Sequence, residues 1–221
     1  MILAAGRGER LRPLTDTIPK PLVQVGECSL IEWHIRRLQQ AGINEIVINV
    51  SYLADQIKNK LGDGQQYAVN IHYSEEPEHA FETGGGIVQA LPLLGKQPFV
   101  VINGDIWTDF PFDSLSEPQN LAHLILVDNP PQHPLGDFIL NANHVSDEAN
   151  GARFTFSGIG VYRPELFAGY TSGKRFPLAP ILKSVMQSNQ VSGEYYQGQW
   201  YDIGSVDRLQ QLREQLEGSN I

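Results

Sequence analysis

Two short runs of unbroken aliphatic residues, NEIVINV at 44–50 and QPFVVING at 97–104, are separated by stretches with helical spacing, and this alternation restricts the fold most strongly. A Val/Ile run without polar alternation is the pattern of a strand covered on both faces. Residues 29–42, SLIEWHIRRLQQAG, bring Leu30, Ile31, Trp33, His34 and Leu38 towards one helix face, with Ser29 placed to cap the first turn and Gly42 to end the last. Residues 52–64 repeat the arrangement. Strand, helix, strand, helix, strand predicts a wound α/β sheet whose crossover helices cover both faces.

After Asp105 the rhythm changes. A strand at LAHLILVD, a polar hairpin at DFILNANHVSD turning near Asn141 to Asn143, and a long strand at 153–162 predict an antiparallel lobe. Helices are expected at 178–189 and at 204–218, the latter begun by Ser205. No repeat or linker divides the 221 residues, so one domain is expected.

Composition removes several function classes. A net charge of −9 opposes attraction to nucleic acid or to an anionic membrane. No apolar run approaches the roughly 18 residues of a membrane span, and Gly6 and Arg7 interrupt the apolar start before it can form a secretory leader. The lone Cys28 has no internal partner, which fits a reducing cytoplasm. Within this acidic chain, Arg7, Arg10, Arg12 and Lys20 make the first twenty residues a basic island.

That island surrounds glycines. Gly6 and Gly8 follow the apolar start directly, and ligands of wound sheets sit beyond the carboxyl ends of the strands, where backbone N–H groups can face an anion. The loop lacks the Gly-Lys-Ser/Thr end of a P-loop, and Arg10 and Leu11 stand where a dinucleotide fingerprint needs its third glycine; a plain turn is the alternative. PKP at 19–21 holds Lys20 between two prolines in an extended segment, or forms an ordinary loop. Asp105 ends the strand of VVINGD, a position suited to holding a divalent ion against phosphates, with a solvated turn as the alternative. Asp202 lies among Trp200, Tyr201 and Ile203, an unfavourable place for a carboxylate unless it is paired, capping a helix or metal-bound.

FETGGGIVQAL at 81–91 opens a helix with three glycines. Each disfavours a helix by roughly 0.5–1 kcal/mol, so either a base pressed on Gly84 and Gly85 or an unusual turn is implied. His34, His72, His79, His123, His133 and His144 show no metal-ligand spacing, and the three tryptophans suit packing.

Taken in order, LAAGRGERLRPLT, PKPL, ETGGG, NGD and WYDIG make the chain resemble the sugar-1-phosphate nucleotidylyltransferases over essentially its full length. The resemblance implies a Rossmann-like, glycosyltransferase-A-like α/β fold: a mixed, mainly parallel sheet with helices on both faces and a small antiparallel sugar-binding lobe. It implies one domain, with 1–105 mainly binding nucleotide and 106–221 mainly binding sugar phosphate. The short chain, ETGGG, and LVDNP, GDF and FSGI in the second half are most similar to members that join UTP to N-acetylmuramate 1-phosphate in cell-wall recycling.

Carried onto matching positions, the resemblance lays the UTP triphosphate across Ala5, Gly6, Gly8, Glu9 and Arg10. Arg10, Lys20 and Asp105 are then the catalytic residues, and Mg2+ sits on Asp105 and Asp202. Uracil is expected near Glu76, Gly84 and Gly85, and the sugar near Asn103, Asp137, Glu148 and Glu165. A lactyl ether needs a cation or backbone donors near the sugar's carbon 3, and Arg153, Lys174, Arg175 and Lys183 are the cations on offer. A cytoplasmic monomer acting on small molecules is implied. Glucose or mannose 1-phosphate with UTP, dTTP or GTP is the alternative substrate pair. A catalytically silent nucleotide-sugar sensor is the alternative of another class, against which the joint presence of Arg10, Lys20, Asp105 and Asp202 counts.

Overall fold

The computed structural model describes residues 1–78, 80–115 and 117–218, so His79 lies outside the described residues. In chain order the first elements are β1 (Ile2–Leu3), β2 (Gln24–Val25), β3 (Cys28–Ser29), α1 (Leu30–Gln40), β4 (Glu45–Val50), α2 (Ala54–Leu61) and β5 (Asn70–Glu75). There follow α3 (Glu82–Leu94), β6 (Phe99–Asn103), β7 (Ile106–Thr108), β8 (Ala122–Val127), β9 (Phe138–Asn141), β10 (His144–Ser146) and β11 (Arg153–Tyr162). The last are α4 (Ala179–Met186), β12 (Val191–Tyr195), β13 (Trp200–Asp202) and α5 (Val206–Gly218). Among the described residues no helix is long and apolar enough to cross a membrane.

The chain divides into two compact units, one of Met1–Ala80, Asn103–Ser114 and the stretch from Gln199 onward, the other of Phe81–Ile102 and Leu115–Gly198. In the first unit β1, β4 and β5 run parallel, with Ile2 opposite Ile48 and Ile46 opposite Ile71. Ile2, Ile46, Ile48 and Val50 are fully or almost fully buried, as the aliphatic run requires of a strand covered on both faces. β7 pairs antiparallel with β13, which brings the chain's last segment back onto residues 106–108.

A second cluster in this unit joins Leu11, Val23, Val25, Leu30, Trp107, Ile203, Leu209 and Leu212, with Leu14, Trp33, Tyr201 and Leu216 against it. Trp33 meets Trp107 edge to face at 6.1 Å, so both rings pack.

In the second unit β6 and β8 each run antiparallel to β11, and β12 runs parallel to β8. β10 then pairs β12, β9 pairs β10, and β9 returns to β11, closing a ring of five strands. The hairpin turns at Ala142 and Asn143, within the predicted window, and Ala142 takes a φ of 54°.

α1 starts as its sequence predicts. The Ser29 N–H and hydroxyl both donate to Glu32 Oε2, at 2.9 and 2.6 Å, so the third helical residue closes the first turn. Glu32 Oε1 accepts from the Tyr67 hydroxyl at 2.8 Å and faces Lys60 Nζ at 3.3 Å. Burial pushes this carboxyl up, but the hydrogen bonds from Ser29, Tyr67 and Lys60 outweigh it and bring it to about 2. A folded value below the unfolded one stabilises the fold above about pH 4.5, and that contribution fades as the pH falls towards 2. Glu32→Gln is therefore expected to lose about 2 kcal/mol at pH 7. Its unfolding free energy, followed by denaturant titration, should also fall less steeply than that of the unsubstituted protein between pH 4.5 and 2.5.

Candidate active site

The glycine loop leaves β1 and is tied down from below. The Ala4 N–H donates to Asn49 Oδ1 at 2.7 Å, and Asn49 Nδ2 donates to Glu76 Oε1 at 2.7 Å, all three residues being buried. Ala5 is buried, whereas Gly6, Arg7, Glu9 and Arg10 are exposed. Gly8 has a φ of 69°, and a Cβ there would come within 3.0 Å of Lys20 Cβ and 3.1 Å of Thr15 Cγ2, so the loop lies directly on the Lys20 stem. The Thr15 hydroxyl donates to the Gly8 carbonyl at 2.8 Å, and the Arg7 guanidinium lies over the Tyr52 ring at 5.0 Å. Among the described residues, the N–H groups of Gly6, Arg7 and Gly8 donate to no protein acceptor. Successive unpaired N–H groups beside arginines form a concavity suited to an anion.

Lys20 is the buried cation of the site. Pro19 is extended, Lys20–Leu22 forms one 3-10 turn, and Lys20 Nζ pairs with Asp105 Oδ2 at 2.8 Å. The Lys20 side chain is 9% exposed and that of Asp105 37%, which leaves the carboxylate open to solvent on one side. Gly104 sets this approach: its N–H donates to the Leu3 carbonyl at 2.9 Å, and a Cβ would come within 2.5 Å of that oxygen.

Asp202 arrives from the other end of the chain. The β7–β13 ladder sets it opposite Ile106, and the Ile203 N–H donates to the Asp105 carbonyl at 2.9 Å, so the backbones carrying the two carboxylates are neighbours. Arg208 Nη1 pairs with Asp202 Oδ2. A Cβ on Gly204 would lie 3.1 Å from Arg10 Nη1, which places the Arg10 guanidinium in the same neighbourhood. Arg10, Lys20, Asp105 and Asp202 thus share the first unit, together with Arg208 and Asn49, which the sequence reading did not single out. Arg208 carried a faint signal, a basic residue in the first turn of a helix, where the dipole disfavours it.

Among the described residues no cluster of three or more His, Cys, Asp or Glu side chains could hold a metal. Two carboxylates whose chain segments are hydrogen-bonded together are still hard oxygen donors of the kind magnesium takes, when phosphates and water complete its shell.

In the second unit the glycines at the start of α3 serve the protein itself. A Cβ on Gly84 would meet Phe176 at 2.7 Å, and one on Gly85 would meet the Lys174 carbonyl oxygen at 2.2 Å. The Gly85 N–H already donates to the Phe176 carbonyl at 3.0 Å. Residues 174–177 therefore occupy the space on the Cβ side of Gly84 and Gly85.

Asp137 is also committed, its Oδ2 accepting from the Phe156 N–H at 2.8 Å and its Oδ1 facing His133 Nε2 at 3.0 Å. Arg153 donates to Asp147 and to the Asp137 and Glu148 carbonyls, Lys183 pairs with Asp147, and Arg175 pairs with Glu82. The Glu148 side chain is exposed. Glu165 stands three residues past Tyr162, which pairs with Phe99 at the start of β6, so it lies at the opposite end of that strand from Asn103.

Residues 1–124 match the family described as Nucleotidyl transferase. An N-acetylmuramate alpha-1-phosphate uridylyltransferase of Neisseria meningitidis serogroup B is 54% identical over 221 residues, covering 96% of each chain. A protein of the same name from Caulobacter vibrioides is 33% identical over 220 residues, covering 92% of this chain and 90% of its own. A Bacillus anthracis crystal structure, described as a glucose-1-phosphate thymidylyltransferase in complex with sucrose, has a TM-score of 0.87 at 20% identity, covering 100% of this chain and 95% of that one. That likeness bears on the fold.

The two kinds of glycine separate in a melting experiment. Gly85→Ala is expected to lower stability by about 2–4 kcal/mol, since the new methyl meets backbone that has no room to yield. Gly6→Ala, with nothing within 4 Å of the added carbon, should change it by less than about 0.5 kcal/mol.

Proposed function

Because the chain belongs to the nucleotidyl transferase family, we propose that it transfers the uridylyl group of UTP to N-acetylmuramate 1-phosphate and releases pyrophosphate. The 54% identity to a uridylyltransferase of that name along 96% of both chains carries the substrate assignment. The pairing of buried Lys20 with the half-exposed Asp105, beside an open glycine loop, supports the chemistry.

The triphosphate lies on the loop, where the N–H groups of Gly6, Arg7 and Gly8 face its oxygens and Glu9 stays exposed at the rim. Asn49 and Glu76 hold the loop from beneath, so Glu76 acts through the Asn49 amide on the nucleotide's seat. An oxygen of the sugar phosphate, already ionised at neutral pH, attacks the α-phosphorus in line. The bond to the β,γ-diphosphate breaks and its electron pair leaves with pyrophosphate. No proton has to be removed from the nucleophile, so the chain's contribution is placement and charge.

Arg10 opposes the charge gathering on the α-phosphoryl oxygens, and Lys20, released from Asp105, pairs with a phosphate. Asp105 and Asp202 fit a divalent cation such as Mg2+, which when bound neutralises phosphate charge and aligns the reacting oxygens. Asn103, which ends β6, meets the sugar in this reading.

Pyrophosphate release is measured over four nucleoside triphosphates and four sugar 1-phosphates with Mg2+ present. The strongest signal is expected for UTP with N-acetylmuramate 1-phosphate. A maximum at glucose or mannose 1-phosphate would replace the sugar, and silence throughout would leave a binding protein. With the best pair, Arg10→Ala should lower kcat about 100-fold or more, with a smaller effect on KM. Asp105→Ala should abolish turnover while the protein stays folded by circular dichroism.

A further inference from the structure

We propose that Arg208 is a positioning residue that occupies Asp202 while the enzyme is free, so that a divalent cation loads with the triphosphate and not before it. The proposal rests on the metal assignment above and concerns how this chain controls that site.

Arg208 is held by more than its carboxylate. Its N–H and its Nε approach Ser205 Oγ at 3.3 and 3.4 Å, and Nη1 meets Asp202 Oδ2. The side chain is only 18% exposed. Gly204 makes the arrangement possible, for a Cβ there would fall 2.1 Å from Arg208 Nη2 and 2.8 Å from its Cζ. A side chain at 204 would require the guanidinium to shift from this position.

The location is electrostatically unusual. Arg208 lies in the first turn of α5, where the helix dipole repels a cation, and the Arg10 guanidinium lies on the same side of Gly204. A partly exposed ion pair adds little to stability and does not by itself account for two guanidinium groups converging here.

The charges around the two carboxylates supply a functional reason. Arg10, Lys20 and Arg208 outnumber Asp105 and Asp202, so a bare divalent cation approaching the free site meets excess positive charge and a carboxylate already paired. A bound triphosphate reverses that sign and draws Arg10 and Lys20 towards its own oxygens. Asp202 is then exchanged from Arg208 to the metal without changing place.

Mn2+ binding to the full chain, followed by electron paramagnetic resonance without nucleotide, tests this. Arg208→Gln should bind Mn2+ about tenfold more tightly than the unsubstituted protein, and Arg208→Lys should stay close to it. Adding Asp202→Asn to Arg208→Gln should remove the gain. Arg208→Met, which also lacks the charge, carries the same expectation and serves if the glutamine variant does not fold. Equal or weaker Mn2+ binding by the uncharged variants, or a gain that survives Asp202→Asn, would overturn the proposal. Parallel titrations with UTP address the metal assignment separately. Asp202→Asn alone should weaken Mn2+ binding to the UTP complex about tenfold, and an unchanged affinity would refute Asp202 as a ligand.

Discussion

The buried cluster of Leu11, Val23, Val25, Trp107, Ile203 and Leu209 is the support on which the charged groups of the first unit stand. Leu11 follows Arg10, Val23 comes three residues after Lys20, Trp107 two after Asp105, Ile203 follows Asp202, and Leu209 follows Arg208. Each functional side chain is therefore fixed by an apolar neighbour whose burial contributes about 1.5–3 kcal/mol. This is how five charged residues from three distant stretches of chain share one neighbourhood. Packing supplies the free energy, and the charges accept the positions that packing dictates.

Those positions also have to be tolerable without ligand. Lys20 covers Asp105 and Arg208 covers Asp202, so each carboxylate meets a cation of its own. Among the described residues the N–H groups of Gly6, Arg7 and Gly8 have no protein acceptor, so in the free protein they are left to solvent. The carboxylates are paired while the N–H groups of the loop are left open. That asymmetry suits a site whose ligand brings negative charge.

Much of this was legible in the sequence, because the responsible signals are local. The aliphatic runs marked β4 and β6, the Ser29 cap and its helix followed from side-chain chemistry within a few residues, and Gly6 to Arg10, Lys20, Asp105 and Asp202 came from residue types at strand ends together with the family pattern. What escaped depended on distant contacts. β12 contains Gly193 and Glu194 and has little apolar pattern of its own, yet lies parallel to β8. At Gly84 and Gly85 a glycine declares only that something comes close, and the packing of segment 174–177 on their Cβ side could not be read from it. Asp137 and Glu165 were plausible sugar contacts by residue type alone. That Asp137 Oδ2 accepts from the Phe156 N–H, and that Glu165 follows the Tyr162–Phe99 pairing, depends on strand register and is not visible in residue type. Arg208 was overlooked because its partner is defined by the return of β13, which has no signature in the helix itself.

That return has a consequence for how the protein comes into being. A ribosome releases the chain from its amino terminus, so the glycine loop, Lys20 and Asp105 all emerge long before Tyr201, Ile203, Leu209 and Leu212. Until they arrive, the cluster around Trp107 and Leu11 is only partly enclosed, and β7 has no strand beside it. Contacts spanning so much of the chain close slowly, because the intervening loop's entropy has to be overcome first. The nascent polypeptide can therefore form its glycine loop early, and the docking of β13 and α5, which completes the cluster, is the same step that brings Asp202 and Arg208 into place.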